Sequence, residues 1–361
     1  MSNFQELVTG LLQSRIEAGA MSAAAVRIEQ RGEVLLDWAG GRRDFSLGAP
    51  AASTDSIFHV ASISKPMSTS GVVKLIERGL IDLDDPVAKH VPEFAGHGKE
   101  QVTLRHCLTH TSGLPDMVPG NIELRKRNAP IGEFVAAACR ARLLFRPGSD
   151  VRYQSSGILM LGEVAERVTG VRFRDYLAAE VFGPAGMTST HLGWREEYAE
   201  RNVAAKVRDP ETTAHWNHNS AYWRDFGGPW AGVHTNTADI TRLLRVMLNG
   251  GKSDSGVTVF KPGTVRILTQ DHTAALPDLQ PAARLREAWG LGWRIQRAGN
   301  GGWYGSAVPP GAFGHAGATG TVAWADRTSK VIFVLLTNGL QDLEGGTLKA
   351  CGNITAATLC G

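Results

Sequence analysis

The sequence predicts an α+β fold: an antiparallel β-sheet built from both chain ends and flanked by helices, with a mostly helical domain inserted between them. Three observations predict it. The chain opens on a helix followed by a hairpin; its middle carries apolar residues at steps of three and four; beyond about residue 285 it breaks into short β-rich pieces separated by Gly and polar turns. The expected organisation is a discontinuous sheet domain over 1–66 and 235–361, a helical domain over 67–234, and an active site at their interface. With 361 residues, 43% of them apolar, the chain can bury a sizeable core.

The N-terminus, "MSNFQELVTGLLQSRIEAG", mixes acids into its apolar positions and lacks a basic start followed by an apolar block, so it reads as an amphipathic helix and not an export signal. Residues 23–44 read as a hairpin turning at Arg31-Gly32, and 47–54 as a loop. A helix follows from Met67 to Gly79, with Val72, Val73, Leu75 and Ile76 near one stripe and Gly79 ending it. Residues 131–142, 155–170 and 238–251 repeat the helical period, the second capped by Ser155 or Ser156 and stopped by Gly170. Near the end, Asp326-Arg327-Thr328-Ser329 sits between strand-like runs as a hairpin turn. Its second arm holds "VIFVLL" at 331–336, the longest apolar run and far too short to span a bilayer. A cytoplasmic protein is the expectation.

Lys and Arg number 38 against 35 acids, and the basic residues are scattered, which gives no footprint for nucleic acid. The run "RKR" at 125–127 reads as a solvated helix end. Cys107, Cys139, Cys351 and Cys360 lack metal spacing and read as free thiols; Cys351 and Cys360 would close a loop only in an oxidising compartment.

Three short stretches carry candidate chemistry. Ser62 and Lys65 are spaced i to i+3 at a helix start, on one face and a few ångströms apart. A Ser there has a neighbouring N–H for a developing oxyanion, and a partly neutral Lys can take its proton. Alone, the pattern is unspecific and reads as a surface turn. Tyr153 lies in the loop just before the helix at 155–170, where its phenol would relay protons if the loop packs on Ser62 with Lys65 beside it. Finally, "GHAGATG" (314–320) places His315 in a glycine-rich strand that something must approach closely.

In this order, Ser62-Ile63-Ser64-Lys65, Tyr153-Gln154-Ser155 and His315-Ala316-Gly317 resemble the three signatures of the serine β-lactamase and penicillin-binding-protein superfamily. The nearest likeness is its class C-like branch, with family VIII carboxylesterases, D-amino-acid amidases and D-aminopeptidases. "LTHTSGLP" (108–115), "GILMLGEVAERVTG" (157–170), "VFGPAGMTSTHLG" (181–193) and "HTNTADITRLLRVMLNGG" (234–251) extend it over nearly the whole chain. The resemblance implies a β-lactamase/transpeptidase-like fold and an acyl-enzyme. Ser62 would be the nucleophile and Lys65 with Tyr153 would manage its proton. The backbone N–H groups of Ser62 and Ala318 would form the oxyanion hole, with Ser155, His315 and Gly317 binding substrate. Two departures matter. Ser155 stands where the family often has Asn, and His315 where it often has Lys, removing an amide and a permanent charge that suit β-lactams. Both favour an esterase or amidase for small substrates.

Other patterns are weaker. His106 and His110 lack the intervening acid of a zinc helix and read as structural packing; His215 and His218 are expected at the mouth of the site. Trp216, Trp223 and Trp230 could wall an apolar pocket, with Trp289, Trp293 and Trp303 mostly core. No G-x-S-x-G elbow is present, and "GNGGWYG" (299–305) reads as a turn between strands. The expected function is a cofactor-free, metal-free serine hydrolase acting on a small carboxylic ester. The rivals are an amide of a D-amino acid, weak β-lactam hydrolysis, acyl transfer, or a non-catalytic binder. No nucleic-acid or membrane partner is expected.

Overall fold

The computed structural model describes residues 3–207, 213, 216–298, 302–340 and 346–361. Its largest element is a seven-stranded antiparallel sheet drawn from both chain ends. It uses β1 (Ala23–Gln30), β2 (Glu33–Gly41), β7 (Ala288–Trp289), β8 (Arg294–Ile295), β9 (Phe313–Gly317), β10 (Thr321–Ala325) and β11 (Val331–Thr337). The spatial order is β2-β1-β11-β10-β9-β8-β7, so the first hairpin pairs with the last strand, Val26 opposite Leu335. The first hairpin turns where expected: Arg31 and Gly32 both take left-handed φ, 55° and 86°, which suits the twist of a two-residue hairpin. In the second predicted turn, the Asp326 carboxylate accepts the Ser329 N–H and hydroxyl, each at 2.7 Å.

The apolar run at 331–336 is explained by period two with both faces covered. Val331, Phe333 and Leu335 face the helices Asn3–Glu17 and Gly346–Leu359, through Phe4, Val8, Leu12 and Leu348. Ile332, Val334 and Leu336 face a second cluster that runs on into the helices of the middle, among them Ser64–Glu77, Ile131–Arg140, Ser156–Thr169 and Thr237–Leu248. Among the described residues, no helix is long and apolar enough to cross a membrane. All four cysteines are free thiols; Cys360 Sγ lies 3.3 Å from the Ser329 hydroxyl oxygen.

Two features differ from expectation. A second, four-stranded sheet uses strands from within the helical middle and from its two borders, in the order β4-β6-β3-β5: β3 (Ile57–His59), β4 (His191–Leu192), β5 (Asn202–Val203) and β6 (Val233–Thr235). Strands of two or three residues are too short to show alternation in sequence. The second helix begins at Ser64, with Pro66 in its first turn, where its missing N–H is not needed. That helix is buried on all sides from Ser64 to Leu75 instead of along one stripe.

Candidate active site

β3 delivers the segment that carries Ser62. The Val60 N–H donates to the Val233 carbonyl at 3.1 Å, and Ala61 then takes φ 45°, in the left-handed region. Ser62 sits in the single 3-10 turn Ala61–Ile63 that leads into the helix Ser64–Glu77. Residues 229–233 run along the first turns of this helix and are stitched to it by its buried polar side chains. The Ser64 hydroxyl accepts the Val233 N–H at 2.9 Å, Ser68 donates to the Pro229 carbonyl at 2.7 Å, and Lys65 Nζ donates to the Trp230 carbonyl at 3.1 Å. The same nitrogen lies 3.1 Å from Ser62 Oγ. Lys65 is completely buried. Burial lowers its pKa to about 7, with the Asp116 carboxylate pulling the other way.

Tyr153 reaches the same point from the loop before the helix Ser156–Thr169. Burial pushes the pKa of its phenol well above the ordinary value, with the neighbouring Ser62 hydroxyl pulling the other way. Lys65 Nζ lies 4.6 Å from the centre of its ring. The ring packs on His110, centroids 4.9 Å apart, and His110 Nδ1 accepts the Gln154 N–H at 3.2 Å. Gln154 itself is buried: its amide donates to the Cys107 carbonyl at 3.3 Å and accepts the Gly157 N–H. The middle residue of the second motif is therefore an inward strut. Ser155 is buried at the helix start, its N–H donating to Asp116 Oδ1 at 2.8 Å.

The third motif is fastened to the first. Thr319 Oγ1 donates to the His59 carbonyl at 2.7 Å, and Thr321 Oγ1 to the Val60 carbonyl at 3.1 Å. Two residues before Thr319 lies Gly317, where a Cβ would stand 2.2 Å from the Val60 oxygen. Glycine is required here because two backbones touch. His315 points into the packing beneath: Nδ1 donates to the Ala316 carbonyl at 2.7 Å, and its ring centroid lies 5.0 Å from that of Trp303 and 5.9 Å from that of Tyr153. Burial, reinforced by Lys65, holds its pKa well below the ordinary histidine value, so it is neutral.

These groups open on one cavity of about 320 Å³, at the low end for small-molecule sites. Ser62, Tyr153, Ser155, Ala316 and Ala318 line one side; His218, Trp223 and Trp230 line another. His315 and Gly317, expected to bind substrate, are not among the lining residues and stand behind Ala316 and Ala318. Trp303, expected in the core, is at the cavity wall; Trp289 and Trp293 are core. His215 and residues 299–301 lie outside the described residues. His106 caps the helix Leu104–Leu108 through a reciprocal bond with Thr103, which accounts for it structurally. Among the described residues no three His, Cys, Asp or Glu side chains gather as a metal site needs.

Two charged lining residues, Asp116 and Arg125, are not singled out by sequence. Asp116 follows directly on the stretch "LTHTSGLP", and that adjacency is the available signal. Arg125 belongs to the "RKR" run, whose composition suggests a solvated helix end. Lys126 and Arg127 do pair at the surface, with Glu123 and Glu133, but Arg125 turns inward.

A hydroxyl and a phenol at one cavity, with an amine of lowered pKa buried beside them, are the kinds of group that acyl transfer through a serine uses. The family model for Beta-lactamase matches residues 4–350, and the chain belongs to that family; it is a hydrolase of the β-lactamase superfamily. It is 29% identical over 299 residues to penicillin-binding protein 4 of Amycolatopsis lactamdurans, covering 80% of this chain and 74% of that one. Among solved structures it is similar to EstCE1, a hydrolase with promiscuous acyltransferase activity (TM-score 0.78, 21% identity, 99% and 98% of the two chains). It is also similar to a family VIII carboxylesterase (TM-score 0.77, 24% identity, 98% of both chains).

Proposed function

We propose that this protein forms an acyl-enzyme on Ser62 and acts as a carboxylesterase on small esters. The observation that carries the reading is the pair Ser62–Lys65: an amine 3.1 Å from a hydroxyl, buried so that its pKa falls to about 7. A lysine so placed is partly neutral near pH 7 and accepts a proton. Ser62 Oγ attacks the ester carbonyl carbon while its proton passes to Lys65 Nζ. The tetrahedral oxyanion is met by the backbone N–H groups of Ser62 and Ala318. The C–O bond to the leaving alcohol then breaks, the alcohol taking the proton from Lys65 by way of the protonated Tyr153. Water repeats the sequence on the acyl-enzyme and releases the acid. Another alcohol in its place gives acyl transfer, an activity that EstCE1 combines with hydrolysis.

The choice of ester over β-lactam rests on the third motif. Residue 315 is a neutral, buried histidine, so the wall that would need a permanent cation has none from that position. The family VIII fold likeness agrees with this choice. The test is a panel of nitrophenyl esters, D-alanine amide and a chromogenic cephalosporin. The reading expects the largest kcat/KM on the esters, and a larger value on the amide or the cephalosporin would overturn it.

A further inference from the structure

Arg125 reaches the cavity from the short helix Asn121–Lys126, and its position is unusual for a surface arginine. Its guanidinium lies over the face of Trp223, 4.1 Å from the ring centre, and 5.6 Å from that of Trp216. Stacking of this kind holds the planar fork in one orientation and leaves its N–H edges able to donate. Burial lowers its pKa to about 10, with Tyr222 and Asp116 pulling the other way, so it stays charged near neutral pH. Nε donates to Asn121 Oδ1 at 3.1 Å, one turn back on its own helix, and Nη2 lies 3.9 Å from the Met117 sulfur, a weak acceptor. Among the described residues it forms no ion pair; Asp116, the acid nearest in influence, accepts the Ser155 N–H.

The surrounding wall is aromatic. Trp223 and Trp230 line the cavity, are 4% and 3% exposed, and keep their indole N–H groups without an acceptor among the described residues. His218, beside them, is held neutral by burial and by Arg125 itself. A half-buried cation at the edge of a small cavity, with no ion-pair partner among the described residues, is poorly satisfied without an acceptor.

We propose that Arg125 is a specificity residue that binds a carboxylate on the substrate, so that the natural ester carries a free acid group as well as the bond that Ser62 attacks. This rests on the serine-hydrolase reading and narrows its substrate class. The carboxylate accepts from the guanidinium fork in the bidentate manner that suits this pair. The cation absent from position 315 is thereby supplied by another residue of the cavity lining.

The experiment compares two para-nitrophenyl esters of equal size: the monoester of adipic acid, whose far end is a carboxylate, and its counterpart ending in a primary amide. Wild type is expected to favour the carboxylate ester in kcat/KM by roughly ten- to a hundredfold, the worth of a charge-assisted hydrogen bond. Arg125→Gln should bring the ratio close to one, mainly through KM, and Arg125→Lys should keep part of it. Arg125→Glu should turn the preference towards an ester ending in an ammonium group. Thermal melting and phosphonate labelling of Ser62 report whether each variant is folded and competent. A wild-type ratio near one, or a ratio that Arg125→Gln leaves unchanged in a folded, labelled variant, would overturn the proposal while the hydrolase reading stands. No turnover of either ester and no labelling of folded wild type would overturn both.

Discussion

In the proposed mechanism Lys65 is the base, and its environment makes two pH predictions. Its pKa in the folded protein, about 7, lies below the ordinary lysine value of 10.5, because burial penalises the ammonium. For catalysis the neutral amine is the active form, so kcat/KM should rise with pH through about 7 and then level off. A profile that stays flat from about pH 5 to pH 9 would remove Lys65 as the base. For stability the sign follows from proton counts. Between about pH 7 and 10.5 the unfolded chain binds the proton and the folded one does not, so this group makes stability rise with pH across that window. Below about pH 7 both states hold the proton and the contribution is flat. Lys65→Met should reduce that slope, as read from denaturant midpoints at a series of pH values.

Tyr153 differs from Lys65 in direction. Its phenol is pushed up and so is protonated at rest, which makes it a donor to the leaving group more than a first base. Tyr153→Phe should lower kcat by about a hundredfold or more with KM changed far less, the mark of a group acting in the transition state. Normal turnover in the variant would exclude it. Ser62, Lys65 and Tyr153 are legible in the sequence because each sits in a short local pattern at a helix start. Asp116 and Arg125 are not, because nothing local distinguishes an acid in a loop or an arginine in "RKR" from its solvated neighbours. Their roles come from which way one helix turns.

At the scale of elements, the site depends on the contact between the β9–β10 turn and the Ser62 segment. Gly317 is the point of closest approach. The glycine-rich strand signals such a contact in sequence, but the partner is the Val60 backbone and not a substrate. Gly317→Ala puts a methyl 2.2 Å from the Val60 oxygen. Backbone cannot move aside cheaply, so the variant should lose about 1–3 kcal/mol of stability, with kcat/KM falling as Ala318 moves away from Ser62. Thr321→Val removes one bond to the same carbonyl and should cost about 1 kcal/mol. Unchanged melting and activity in Gly317→Ala would mean that this contact does not position the site. The stitching of residues 229–233 to the helix by Ser64, Lys65 and Ser68 is hidden from sequence for a different reason. Periodicity detects apolar faces, and this helix buries its polar face as well.

For the whole molecule, the alternation that buries both faces of β11 explains why the two chain ends share a sheet, and why that is readable from an apolar run and two turns. The small sheet is not readable, since β3 pairs with β6 across more than 100 residues and its strands have only two or three residues each. The larger apolar cluster is continuous from the sheet into the middle helices. Far-ultraviolet circular dichroism and tryptophan fluorescence should therefore report one coincident unfolding transition; two separated transitions would contradict this. What the assembled molecule accomplishes is to bring segments near residues 62, 153 and 318 to one cavity. The most direct check is a serine-directed phosphonate, with the adduct located by peptide mass spectrometry. A single adduct on the peptide carrying Ser62, absent from Ser62→Ala, is the predicted result; folded wild-type protein left unmodified, or modified at another residue, would contradict it.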